Sequence, residues 1–236
     1  WRRSSVSVAP VLMAVAGVVR LRQYVFARFE ADVSFLREVI RYSLPLMPFA
    51  LVGYFSGSYV DAIFVSQFLS TQDLGVYSVA TQINGIAMQL PTVANSLIIP
   101  FFVTLQKENR SGRLESYFAD VLPSLVLGWG MFCIVLNIAG YLLIPTVFGE
   151  QYEGALIPLA VLTVASVAAV PVLCGYAGVT HSNSVTSVAA YASITSALAN
   201  IVFNYLLIPR FGLVGCAWAT VAAYVVSSVT FAVLLT

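Results

Sequence analysis

Residues Tyr42–Pro100, YSLPLMPFALVGYFSGSYVDAIFVSQFLSTQDLGVYSVATQINGIAMQLPTVANSLIIP, decide how the rest of the chain is read. Between Ser43 and Gln72 every residue is uncharged except Asp61, which stands inside an apolar run long enough to cross a bilayer, for which about 20 residues suffice. An acid at that depth costs a few kcal/mol, faces a bundle interior or a wet cavity, and marks function. Gly53 and Gly57 make a GxxxG pattern, with Ser56 and Ser58 beside them, so this helix is expected to pack closely on its neighbours. Past Ser70-Thr71-Gln72-Asp73 a second uncharged run begins. In it Ser78, Gln82, Gly85 and Gln89 recur at helical spacing, with Asn84 and Asn95 near them, so one face is polar. Pro91 removes a backbone donor in mid-run and predicts a kink.

Composition fixes the class. A hydrophobic fraction of 60% with only 9% charged residues is far from a soluble domain, so the chain is read as an integral membrane protein. The net charge of +1 offers nothing to nucleic acid. Cys133, Cys174 and Cys216 lie in apolar runs without CxxC spacing and are read as packing residues; His181 has no second ligand near it in sequence and is read as a loop residue. No metal site is expected.

Working outward, residues 1–19 read as the end of a truncated transmembrane helix. The Arg2-Arg3 pair lacks both an A-x-A cleavage site and an arginine-poor downstream flank, so a secretory or twin-arginine signal is not preferred. The opening Trp1 and the apolar end at Thr236 suggest a piece of a longer protein. Residues 20–41 carry Val25, Phe26, Phe29, Val33, Leu36, Val39 and Ile40 near helical spacing among arginines. That describes an amphipathic helix on the cytoplasmic membrane surface, or a solvated loop on the same side. Residues 42–236 form one lobe, with helices expected at about 44–69, 74–105, 118–147, 155–179, 185–208 and 213–236.

Basic residues set the orientation. Arg20, Arg22, Arg28, Arg37, Arg41, Lys107, Arg110 and Arg113 fall on one side, while Arg2, Arg3 and Arg210 fall on the other. The first group is placed in the cytoplasm, which also discounts the Asn109-Arg110-Ser111 sequon.

Three segments carry a resemblance. The run SLPLMPFALVGYFSGSYVDAIFVSQFLSTQDLGVYSVATQI, the turn VFGEQYEGALIPLAVL and the turn NYLLIPRFGLVGCAWATVAAYVVSS together resemble the C-terminal lobe of Wzx-type polysaccharide flippases, within the multidrug/oligosaccharidyl-lipid/polysaccharide exporter superfamily. The shared features are an Asp in the first helix, L-G-x-Y-S after a short turn, FG-x-x-Y-x-x-A, and N-x-L-L-I-P-x-F-G followed by A-x-A-T. The resemblance implies an all-α polytopic bundle, one of two lobes, and transport of a lipid-linked oligosaccharide (an O-antigen, capsule or exopolysaccharide unit) across the cytoplasmic membrane by alternating access. It implies no catalysis. Its partners would be membrane lipids, that glycolipid, and an N-terminal lobe of the same protein. Two departures stand out: Ala62 follows Asp61 where many members have a basic residue, and Cys216 replaces a small residue.

On this reading Tyr54, Ser58, Gln82, Asn84, Gln89 and Asn95 are candidates to line the cavity, their alternative being hydrogen bonds between helices. Asp61 is a coupling-ion or proton site, a substrate contact, or the partner of a cation on the other lobe. No bound cofactor is expected beyond possible H+ or Na+ coupling, and Arg20, Arg22 and Arg41 are candidates to meet an anionic headgroup. A drug exporter of the same superfamily would share these features. A membrane glycosyltransferase or polymerase would need a larger outer loop, and a scaffold would scatter its polar residues.

Overall fold

The computed structural model describes residues 17, 20, 33–44, 58–107, 111–182 and 185–235, and among these there is no strand. The expected first helix therefore lies outside the described residues apart from the helical Gly17, as does Tyr54.

Helix α1, Val33–Ser43, covers the second half of the 20–41 stretch. Val33, Leu36, Val39 and Ile40 are all exposed, and the charged Arg37, Glu38 and Arg41 fall on the opposite arc.

The remaining helices form one helical unit. Helix α2, Ser58–Phe68, carries Asp61 in its first turn. It ends at a capping box: the Ser70 backbone N–H and hydroxyl donate to the Asp73 carboxylate at 3.0 and 2.6 Å, and the Asp73 N–H donates back to Ser70 Oγ at 3.1 Å. That exchange satisfies the orphan donors at the start of α3, Thr71–Lys107. Helix α3 is longer than expected at both ends and carries Pro91 and Pro100 in its interior.

Helix α4 (111–148) is regular over Leu122–Leu143 and flanked by π-helical turns at Tyr117–Val121 and Ile144–Phe148. Gly149, with φ 97°, turns the chain into α5 (150–182), which opens as a 3₁₀ turn, runs regularly over Leu156–Pro171, passes a π-helical turn at Val172–Tyr176 and continues to Ser182. Gly175 and Gly178 lie within this helix and do not end it.

The last segment, Thr186–Leu235, is helical throughout save at Gly212, whose φ of 58° and ψ of −137° only glycine adopts readily. The chain reverses there, as the Pro-Arg-Phe-Gly signal predicts, giving α6 (186–211) and α7 (213–235). At the neck of this hairpin a Cβ on Gly215 would collide with the Leu207 carbonyl, so the two backbones touch. Four stretches, Thr71–Leu105, Gly112–Phe148, Glu150–Thr180 and Ser187–Leu235, are long and apolar enough to cross a membrane, the last of them bent at Gly212.

Small polar side chains tie the helices, as expected where lipid offers no hydrophobic drive between spans. Trp129 Nε1 donates to Ser166 Oγ at 3.0 Å and Asn137 Nδ2 to Thr163 Oγ1 at 2.9 Å, joining α4 to α5. Ser228 Oγ reaches the Ala168 carbonyl at 3.0 Å, joining α7 to α5. The buried apolar residues separate into layers. One cluster, including Val65, Tyr77, Leu159, Ile208 and Cys216, surrounds the level of Asp61; another, of Phe102, Tyr117, Leu122, Val170 and Cys174, sits between α3, α4 and α5.

Candidate functional site

Asp61 is the most informative polar group. It is 3% exposed, and four neutral donors from three other helices close on its two oxygens. Tyr77 Oη (α3) and Thr220 Oγ1 (α7) donate to Oδ2, each at 2.9 Å. Asn204 and Asn200 (α6) donate through Nδ2 to Oδ1 at 2.9 and 3.3 Å. A carboxylate has about four acceptor positions, and here all are used. The two asparagines stand one helical turn apart on the same face, and Asn204 Nδ2 also donates to Asn200 Oδ1 at 3.1 Å. One acceptor is left over: Asn204 Oδ1 is enclosed, with no hydrogen-bond partner among the described residues, although Asn204 is fully buried. The donor and acceptor set is therefore all oxygen and amide, gathered from four helices at one point.

Of the three roles open to Asp61 on sequence grounds, the geometry adds a network within this lobe. Its four partners are all neutral side chains of α3, α6 and α7.

The expected cavity-lining set divides. Gln82, Gly85 and Gln89 are exposed on one face of α3, and Thr92 and Ser96 extend the same stripe at the same spacing. Ser78 shares that arc, half-buried, its hydroxyl returned to the Leu74 carbonyl at 2.7 Å. Asn84 and Asn95 do not belong to it. At 100° per residue each falls on the opposite side of the helix, the side of Tyr77, Pro91 and Phe102; both are half-buried, and their Oδ1 atoms are enclosed without a partner among the described residues. Ser58 begins α2 and its side chain lies outside the described residues, as does Arg22 altogether, while Arg20 and Arg41 are exposed.

Four residues of the Asp61 network, Tyr77, Asn200, Asn204 and Thr220, were not singled out as site residues from the sequence. Three of them were nonetheless inside the quoted motifs: Tyr77 is the Tyr of L-G-x-Y-S, Asn204 the Asn of N-x-L-L-I-P, and Thr220 the Thr of A-x-A-T. The motifs looked like turn signatures; in the fold they are the three arms that hold one carboxylate.

Comparison with known proteins agrees with this architecture. Residues 7–157 match the sequence profile of a family described as "Polysaccharide biosynthesis protein". Two proteins of Haloferax volcanii are similar. The probable low-salt glycan biosynthesis flippase Agl15 is 27% identical over 198 residues, covering 83% of this chain and 41% of the relative. The probable flippase AglR is 25% identical over 226 residues, covering 87% and 44%. Among solved structures, an outward-facing multidrug resistance MATE family transporter of the MOP superfamily superposes with a TM-score of 0.62 at 22% identity, over 84% of this chain and 44% of that one. The chain thus spans somewhat under half the length of the relatives it matches.

Proposed function

Because the chain belongs to the polysaccharide biosynthesis protein family, and its helices are those of a multi-pass membrane protein, we propose that it supplies one lobe of a flippase that carries a lipid-linked oligosaccharide across the cytoplasmic membrane by alternating access. The other lobe would come from the remainder of the same protein, and no bond-making step is needed. The observation that carries the reading is the exposed Gln82, Gly85, Gln89, Thr92, Ser96 stripe, which runs along a span and is therefore unsuited to lipid. A glycan is a dense array of hydroxyls, and primary amides both donate to and accept from it. Arg20 and Arg41, exposed, are proposed to meet the anionic headgroup before translocation.

The Asp61 network is proposed as the coupling-cation site. A hard monovalent cation takes carboxylate, amide and hydroxyl oxygens: Asp61 offers the carboxylate and the unpartnered Asn204 Oδ1 an amide oxygen, while the Asn200 amide and Thr220 hydroxyl, which here donate to Asp61, would turn their oxygens to the ion. A proton on Asp61 would serve the same end. Either discharges the carboxylate and relaxes the grip of α3, α6 and α7 on α2.

The test uses the full-length protein in proteoliposomes with a short-chain lipid-linked oligosaccharide. Gln82→Ala with Gln89→Ala is expected to cut translocation at least tenfold with the fold intact, and Asp61→Asn to abolish its dependence on an imposed sodium or proton gradient. Sodium-dependent thermal stabilisation of the purified protein, lost in Asp61→Asn, gives a readout independent of transport. Undiminished translocation in the glutamine variant would sink the cavity assignment.

A further inference from the structure

The cluster between α3, α4 and α5 gathers three irregularities that belong to three different helices. Pro91 has no N–H to offer the Ala87 carbonyl, so α3 lacks one rung there. Helix α4 is π-helical over Tyr117–Val121 and α5 over Val172–Tyr176. Such turns are uncommon, and they and proline are the usual places where helices bend. Each of these three could be accidental alone, but they touch. The Tyr117 hydroxyl, from one π turn, donates to the Cys174 carbonyl in the other at 2.6 Å, and Cys174 Sγ lies 4.0 Å from the Pro91 carbonyl.

On the Lys107 side of this contact the packing is aromatic. Phe102 and Tyr117 meet edge to face with centroids 5.0 Å apart, and Phe118 joins both at 6.2 and 5.8 Å. Phe102 lies so close to Gly178 that a Cβ there would enter its ring. The ends of the three helices are thereby packed as one block. On the other side is an open groove of about 360 Å³ between the helices, bordered by the exposed Leu90 and Ser124 and by Pro91, Trp129, Val170 and Cys174. Beyond it the buried apolar residues form the separate cluster at the level of Asp61.

We infer that residues 92–107, 111–116 and 177–182 move as one body on a hinge formed by Pro91 and the two π turns, with the Tyr117 hydroxyl on the Cys174 carbonyl as the latch that ties the two turns together. Bending needs a missing rung, a bend point on each helix at one level, and room to move into. The layer has all three. In a lobe that takes part in alternating access, this hinge lets the Lys107 end open and close while the Asp61 network stays together. That use of the hinge rests on the transporter reading; the hinge itself does not.

Hydrogen exchange on the full-length protein in lipid nanodiscs tests it. Tyr117→Phe keeps the ring and removes the latch, and is expected to raise amide exchange about fivefold over all three segments together, with 71–86 and 213–235 unchanged. Pro91→Ala restores the missing donor and is expected to slow exchange over the same segments. A rise confined to 117–121, or one spread evenly into α7, overturns the hinge. Glycolipid translocation measured in parallel separates the two ideas. A concerted exchange response in a protein that moves no glycolipid upholds the hinge against the transporter reading, and active transport without that response does the reverse.

Discussion

The Asp61 network and the aromatic layer around Tyr117 lie in the same bundle and are held together by opposite means. At Asp61 the helices are regular and the specificity is in hydrogen bonds: four donors from three helices on one carboxylate. At Tyr117 the helices are irregular, and apart from that hydroxyl the fit is by shape, ring edge against ring face and Phe102 against a glycine. The difference teaches where each region tolerates change. The first should be sensitive to the loss of a polar atom and the second to the gain or loss of a carbon.

The largest expected effect comes from Asp61→Ala. It strands buried donors on three helices, and unfolding of the purified protein should show a loss of about 3 kcal/mol or more, since each buried donor left unsatisfied costs about 1–3 kcal/mol. A loss under 1 kcal/mol would mean that the network is slack. Gly178→Ala adds only a methyl group, yet it is expected to cost about 1–3 kcal/mol because Phe102 must leave its place against α5. Thr220→Val, matched in shape, removes one of four donors and should cost about 1 kcal/mol; no measurable cost would erase the contrast. Smallest of all, Gln82→Ala and Gln89→Ala should leave stability within about 0.5 kcal/mol by the same unfolding measurement, since both side chains are exposed in this lobe.

Much of this was visible in the residues. Helix positions followed from runs of uncharged residues, and the reversal at Gly212 from the Pro-Arg-Phe-Gly signal, because backbone constraints of that kind are local. Asp61 stood out because a lone acid in an apolar run is rare. Its partners did not, since Asn200 and Thr220 lie 139 and 159 positions away along the chain and nothing local distinguishes them from other small polar residues of a span. The misplacement of Asn84 and Asn95 has a simpler cause: they are near Gln82 and Gln89 in sequence, but a helix turns them to the far side. The π turns left no legible trace. They arise from how α4 and α5 accommodate each other, which is a property of the packed bundle and not of either segment.

The contact between Gly215 and the Leu207 carbonyl bears on the cation site proposed at Asp61. Leu207 lies three residues beyond Asn204, and Gly215 five before Thr220, so the neck of the hairpin sets how far apart those two Asp61 ligands stand. The jaws of the site are gauged from its hinge pin. A single methyl group at Gly215 would widen the bite without touching a polar atom, and size discrimination among cations would shift toward larger ions. On the proposed reading of Asp61, selectivity would rest partly on a residue that has no side chain.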